Sequence, residues 1–252
     1  MQEIEIRELK RIKLRKPVMI EGLPGVGNVG KLVAEHIIHE LKAEKIIEIY
    51  SWHFPPQVLV NNDGTVRLCK NEFYAWKSEK LDLLLLSGDQ QSVTNEGHYL
   101  LAETLLDVAQ QYDVSRIYTL GGYGIGQLVE RPTVLGAANE PELVEEMKKC
   151  GVEFREEEPG GSIVGASGLL VGLGKLRGIP AVCLLGLTSG YLVDPKSAQA
   201  VLEILCRVLH LELDTQALKD RAEEMERVVE RLKEMEQAQV PRRREEELEY
   251  IR

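Results

Sequence analysis

The sequence predicts an α/β fold in which a mainly parallel sheet lies between two layers of helices. Two observations predict it. Apolar runs of strand length alternate with amphipathic helical stretches through about residue 210. Some runs, such as the four leucines at 83–86, contain no polar residue, which is typical of strands covered by helices on both faces. A chain of 252 residues is long enough to bury such a core.

The predicted elements follow one another in chain order. Strands are predicted at residues 18–20, 46–51, 58–60, 65–70, 83–86, 117–120 and 182–185. Helices are predicted at residues 29–41, 96–111, 140–150, 163–176 and 195–210. The segment from Val58 to Lys77 departs from this alternation, because the turn Asn61-Asn62-Asp63-Gly64 is typical of a β-hairpin. We therefore expect an antiparallel hairpin insertion in the parallel design.

The composition changes at Asp214, which divides the chain into three predicted regions. These are an α/β/α domain at residues 1–213, a helix at 214–239 and a mobile tail at 240–252. Apolar residues spaced alternately four and three apart predict the helix: Leu218, Ala222, Met225, Val229 and Leu232. This seam could pair with another subunit or lie on its own domain, and the pattern leaves both open.

The tail begins with a charged run and ends on apolar residues. Its last five positions include Leu248, Tyr250, Ile251 and Arg252. Apolar residues at the end of a mobile segment indicate a docking peptide.

Composition excludes several classes of function. A net charge of −10 argues against a nucleic-acid-binding protein, whose binding surface would be basic. The 4 cysteines are scattered without a C-x-x-C pair, so neither a zinc site nor a disulfide framework is indicated. No apolar run is long enough to span a membrane. We expect a soluble cytoplasmic protein with no cofactor, metal, nucleic acid or membrane partner.

A glycine-rich loop at residues 21–31 matches two nucleotide-binding patterns. Gly25, Gly27 and Gly30 have the G-x-G-x-x-G spacing, and Gly25, Gly30 and Lys31 fit G-x-x-x-x-G-K. A phosphate loop requires Ser or Thr after the lysine, where this chain has Leu32. The competing interpretation is that the glycines allow a strand and a helix to pack closely. A phosphate- or nucleotide-binding enzyme or sensor is therefore the alternative function.

Other polar residues offer weaker candidates for chemistry. Asp89, Tyr123, Tyr191 and Asp194 follow predicted strands and could line one crevice at the edge of the sheet, although glycine-rich loops there also serve simply as tight connections. No catalytic residue is predicted, since Ser167 is one residue short of a G-x-S-x-G elbow.

Two histidines and an aromatic loop complete the candidates. His36 and His39 share a helix but fit neither zinc-hydrolase pattern, and no third ligand is evident. The loop at residues 52–56 is either a contact surface or a lid over the core.

Five blocks of sequence together resemble the archaeal branch of the proteasome assembly chaperone family. They lie at residues 21–30, 53–57, 118–123, 165–170 and 189–195. The resemblance runs from about Pro17 to the C-terminal helix. It implies a three-layer α/β/α domain of nucleoside-phosphorylase-like architecture without established catalytic activity. It also implies a homo-oligomer that binds the α subunits of the 20S proteasome and acts as an ATP-independent chaperone or activator.

The resemblance further implies that the C-terminal tails dock on the proteasome. Docking tails of this kind typically end with a hydrophobic residue, Tyr and any residue. In this chain Tyr250 stands third from the end and Glu249 precedes it. We expect the role of the tail to carry over in a variant geometry, or other surfaces to make the contact.

Overall fold

The described part of the chain folds as an eight-stranded sheet with helices on both faces. The computed structural model describes residues 3–129, 131–154, 161–225 and 227. Its strands are β1 (Ile4–Glu8), β2 (Val18–Glu21), β3 (Glu44–Ser51), β4 (Val58–Val60), β5 (Val66–Leu68), β6 (Asn71–Lys77), β7 (Asp82–Gly88), β8 (Arg116–Gly124), β9 (Val134–Ala138) and β10 (Ala181–Thr188). Its helices are α1 (Val29–Glu40), α2 (Asn95–Gln111), α3 (Pro141–Lys149), α4 (Ala166–Leu176) and α5 (Pro195–Leu209). Residues 216–225 are also helical.

The large sheet has the strand order β1-β3-β6-β7-β2-β8-β10-β9. β7, β2, β8 and β10 form its parallel centre, whereas β1, β3 and β6 on one side and β9 on the other pair antiparallel. Five of the eight strands run in one direction, because β3 points the same way as the parallel centre. β4 and β5 form a separate two-stranded hairpin.

Two apolar cores lie on opposite faces of the sheet. Residues from α2 and α4 cover one face, where Leu105 and Leu170 belong to the same buried cluster as Leu84. Residues from α1, α3 and α5 cover the other face, where Val33, Met147 and Leu202 are fully buried. This three-layer arrangement confirms the predicted fold class.

Each predicted strand and helix corresponds to an element of the structure, but three strands were not predicted. β1 was missed because its charged residues interrupt the apolar pattern, and β9 because its glycine and alanines have low strand propensity. The predicted hairpin segment, 58–77, was wrong in its second half. Residues 71–77 form β6, which pairs with β3 and β7 in the main sheet because Phe73 and Ala75 face the core.

Candidate functional site

The glycine loop joins β2 to α1 through a short 3₁₀ turn, Val26–Asn28. A Cβ atom on Gly22 would lie 2.2 Å from the carbonyl oxygen of Gly30, and one on Gly30 would lie 2.1 Å from that of Leu120. Both distances are shorter than any non-bonded contact allows. These two glycines therefore let β2, α1 and β8 pack backbone against backbone.

The other members of the candidate ligand loop have structural partners. Gly27 adopts φ +62, which favours glycine, and its carbonyl accepts the Asp194 amide at 2.9 Å. Gly25 has side-chain space, with the Gln91 amide 3.9 Å from its Cβ position. Lys31 Nζ donates to the Gly88 carbonyl at 3.0 Å and lies 3.4 Å from the Glu35 carboxylate. The geometry therefore favours packing, and ligand binding by this loop remains only a prediction.

A buried acid, Glu21, lies directly beneath the glycine loop. One carboxylate oxygen accepts the Leu23 amide at 3.0 Å, and the other contacts the Ser167 hydroxyl at 3.0 Å. Burial raises the pKa of Glu21 to about 7, although these hydrogen bonds and one from the Leu120 backbone oppose the rise. A neutral Glu21 can donate to Ser167, which in turn contacts the Leu120 carbonyl at 3.3 Å. The cluster ties β2, β8 and α4 together at the end of the sheet.

Sequence reasoning missed Glu21, although one signal was present. It is the acidic residue that ends an otherwise apolar strand, immediately before the glycine loop. Ser167, which fell short of a nucleophile motif, is the partner of this acid. Both side chains are buried, so the pair is structural rather than a catalytic dyad open to substrate.

The four residues expected to share a crevice do not form one reactive group. Asp89 pairs with Arg67, Asp194 caps α5 by accepting the Ser197 amide at 2.9 Å, and Tyr191 is 78% exposed. Tyr123 packs partly against the core. The sheet edge therefore holds a helix cap and an ion pair.

The two histidines considered as metal ligands make structural contacts instead. His36 Nε2 contacts the Asp214 carbonyl at 2.7 Å, whereas His39 faces Glu40 on the surface. Over the described residues, no group of three His, Cys, Asp or Glu side chains could hold a metal ion. Burial raises the pKa of Cys183 to about 12, which makes its thiol a poor nucleophile.

The β4–β5 hairpin presents an apolar outer face that the sequence reading did not recognise. Val58, Val60, Val66 and Leu68 are between 49% and 72% exposed, and they form two directly opposed cross-strand pairs. Period-two alternation in the two strands was the available signal. Apolar groups of this kind on a surface are typical of contact sites.

Next to the hairpin, the loop at residues 52–56 covers part of the core, and its role as a contact surface remains a prediction. Phe54 is buried in the core, while Trp52 is 64% exposed. Trp52, Pro56 and Leu68 help to line a groove of about 580 Å³. The loop therefore closes the core with one aromatic ring and exposes another.

The first part of the C-terminal seam lies on its own domain. Leu218 is buried among core residues of the α1 and α5 side, and Ala222 is also buried. Met225 is partly exposed. Val229, Leu232 and the tail residues Leu248, Tyr250, Ile251 and Arg252 lie outside the described residues, so pairing between subunits and tail docking remain predictions.

Comparison with known proteins identifies the family. A model of the PAC2 family matches residues 19–233, which is most of the chain. The chain belongs to the PAC2 family. An uncharacterized protein of Methanocaldococcus jannaschii is 42% identical over 257 residues, covering 100% of this chain and 98% of that protein.

Solved structures of PAC2 relatives share the fold. The crystal structure of Pyrococcus furiosus PbaB, an archaeal proteasome activator, matches with a TM-score of 0.88 and 44% identity, covering 92% of this chain and 100% of that one. Pyrococcus furiosus PbaA, an archaeal homolog of proteasome-assembly chaperone, matches with a TM-score of 0.77 and 27% identity, covering 99% of this chain and 98% of that one. These matches confirm the resemblance expected from the five sequence blocks. Among the described helices, none has the length and apolar character needed to cross a membrane.

Proposed function

We propose that this protein is a non-enzymatic proteasome assembly chaperone or activator of the cytoplasm. In this proposal it binds the α-subunit ring of the 20S proteasome as a homo-oligomer, partly through its C-terminal tails. The observation that carries the proposal is the match to PbaB, a proteasome activator, at 44% identity and over all of that chain.

The site geometry supports a binding role rather than catalysis. Gly22 and Gly30 of the glycine loop are in close backbone contact, and Lys31 is held by Gly88 and Glu35. Glu21 and Ser167, an acid–hydroxyl pair beneath the loop, are buried. The β4–β5 hairpin, by contrast, exposes an apolar face, which suits contact with another protein.

The tail is tested by deleting residues 240–252. We expect the shortened protein to lose binding to purified α-subunit rings, because the apolar residues at the end of the tail would be the docking group. The measurement is a pull-down with the rings, alongside light scattering to show that the oligomer persists.

A matched pair of full-length variants separates docking from tail charge. Tyr250→Ala with Ile251→Ala should weaken ring binding about as much as the deletion, whereas Arg242→Ala with Arg243→Ala should leave it nearly unchanged. Undiminished ring binding by the deletion variant would remove the tail from the mechanism.

A further inference from the structure

The strand β1 has one outer edge that no other strand covers within the described residues. It ends the large sheet and pairs antiparallel with β3 on its inner side. The Leu9 amide donates to the Ile46 carbonyl at 2.8 Å, and the Glu3 carbonyl accepts from the Trp52 amide at 3.2 Å. These contacts lie six residues apart, so the odd-numbered residues between them also turn their backbone groups towards β3. Ile4, Ile6 and Glu8 therefore direct theirs outward.

The side chains of β1 are self-complementary in charge. Its sequence is Ile4-Glu5-Ile6-Arg7-Glu8. If a second copy pairs antiparallel about a two-fold axis at Ile6, Glu5 of each copy lies opposite Arg7 of the other. Opposite charges across two strands are stabilising, and like charges are destabilising.

The backbone allows only certain registers, and charge selects among them. Outward-directed residues must pair with outward-directed residues, so the two-fold axis shifts by one residue at a time. An axis at Glu5 would oppose two glutamates, and an axis at Arg7 would oppose two arginines. Of these three neighbouring registers, only the one centred on Ile6 pairs opposite charges.

The exposed surface of β1 fits this pairing. Ile6 is 49% exposed at the strand centre, and it lies opposite the buried Ile49 of β3. On the other face, Arg7 Nε donates to Glu5 at 2.7 Å and its guanidinium lies 4.9 Å from the Tyr50 ring. Pairing would cover Ile6 with its counterpart and bring two such Glu–Arg pairs together.

We infer that two copies of this chain associate by pairing their β1 strands antiparallel about Ile6, so that one sheet runs through both. The inference names a contact surface for the homo-oligomer of the proposed function and rests on it. A second copy is favoured as the occupant because the strand complements itself. The opposite charges that face each other in this register offset part of the repulsion between two chains of net charge −10.

The decisive experiment mixes two charge-reversed variants of the full-length protein. Glu5→Arg places arginines at both positions 5 and 7, and Arg7→Glu places glutamates at both, so each variant should repel its own copy. The dissociation constant for self-association should rise roughly tenfold or more for each. An equimolar mixture should form a mixed dimer, because each arginine then faces a glutamate. Sedimentation velocity with one variant fluorescently labelled measures both results.

Two further variants control for charge and for the backbone contact. Glu8→Arg changes the net charge as Glu5→Arg does, but it lies opposite Ile4 and should leave association nearly unchanged. Ile6→Pro removes an outward amide without taking a hydrogen bond from β3, so it should abolish association. Circular dichroism confirms that each variant stays folded.

The outcomes distinguish this contact from the proposed function. If both charge-reversed variants associate as tightly as the parent, and their mixture associates no more tightly than either alone, β1 pairing is wrong while the homo-oligomer stands. If the parent is monomeric throughout, β1 pairing and the homo-oligomer both fail. If the mixed dimer forms but no variant or parent binds α-subunit rings, β1 pairing holds and the proteasome function fails.

Discussion

At the scale of single residues, buried polar and small groups under the glycine loop hold the sheet end together. Glu21 links β2 to α4 through Ser167, while Gly22 and Gly30 allow the closest backbone approaches. The pKa of Glu21 is raised to about 7 because the residue is buried. Its protonation state therefore enters the stability of the fold.

The raised pKa predicts a pH dependence with a definite sign. Between pH 4.5 and about 7 the folded chain holds a proton on Glu21 that the unfolded chain has released. The stability that this proton contributes to the folded state is fully present below the ordinary pKa of glutamate, and it is lost as the pH rises through about 7. Glu21→Gln is a neutral isostere. Its free energy of unfolding relative to the parent should therefore rise by roughly 1 to 3 kcal/mol from pH 5 to pH 8. Urea unfolding at both pH values measures the change.

An exposed glutamate provides the control for this titration. Glu203→Gln on α5 alters the same functional group on the surface, so its stability relative to the parent should vary little over this range. Equal pH responses of the two variants would show that Glu21 does not hold a proton in the folded state.

Two helical glycines test whether the loop glycines serve packing. Gly30→Ala in α1 would place its Cβ 2.1 Å from the Leu120 carbonyl oxygen. We therefore expect the free energy of unfolding to fall by about 1 to 3 kcal/mol or more. Gly172→Ala in α4 meets nothing within 4 Å and should gain up to about 1 kcal/mol from helix propensity. Thermal unfolding compares them. A stable Gly30→Ala protein would contradict close packing and favour the ligand-loop hypothesis.

At the scale of elements, the β4–β5 hairpin is anchored from one side only. Leu59 packs on the core, and the two terminal guanidinium nitrogens of Arg67, Nη1 and Nη2, donate to Asp89, the latter at 2.9 Å. Asp89 also accepts the Lys70 amide at 3.1 Å. Burial raises the pKa of Asp89, but Arg67 and Lys70 outweigh it and hold the pKa below its usual value. The apolar outer face is thereby held in one orientation.

Removing the arginine should release the hairpin without unfolding the sheet. Arg67→Ala leaves the half-buried Asp89 without its charged partner, at an expected local loss of about 1 to 3 kcal/mol. Hydrogen exchange should accelerate in residues 58–68 and stay unchanged in β2 and β7. Arg67→Lys keeps the charge but not the bidentate geometry. Its exchange rates in the hairpin should lie between those of the parent and of Arg67→Ala. Unchanged exchange in the alanine variant would show that Leu59 packing alone suffices.

At the scale of the whole molecule, the strands with strong apolar patterns form the centre and the less regular ones form the margins. The leucines of β7 predicted a covered strand, and each is fully buried. β1 was not predictable in this way, since an edge strand with charges at Glu5, Arg7 and Glu8 lacks an apolar pattern. Its place in the sheet depends on β3, about 40 residues away, and local sequence carries no such information.

The candidate site was predictable only in part. The spacing of Gly25, Gly27 and Gly30 correctly placed a strand, a turn and a helix. Spacing cannot reveal whether the space beside a glycine is empty or filled, and Leu120, which fills it at Gly30, lies 90 residues further along the chain. Similarly, Glu21 and Ser167 meet only after β2 and α4 have come together.

The central position of β2 has a consequence for the time course of folding. The strand lies among the first 21 residues, yet its two neighbours are β7 and β8. During synthesis, about 65 further residues must be added before Ile20 can pair with Leu85, and about 100 before it can pair with Tyr118. Pairings between distant segments form slowly, because a long chain must close before any contact is gained. A ribosome-bound chain thus carries an uncovered apolar strand until about 100 further residues have emerged.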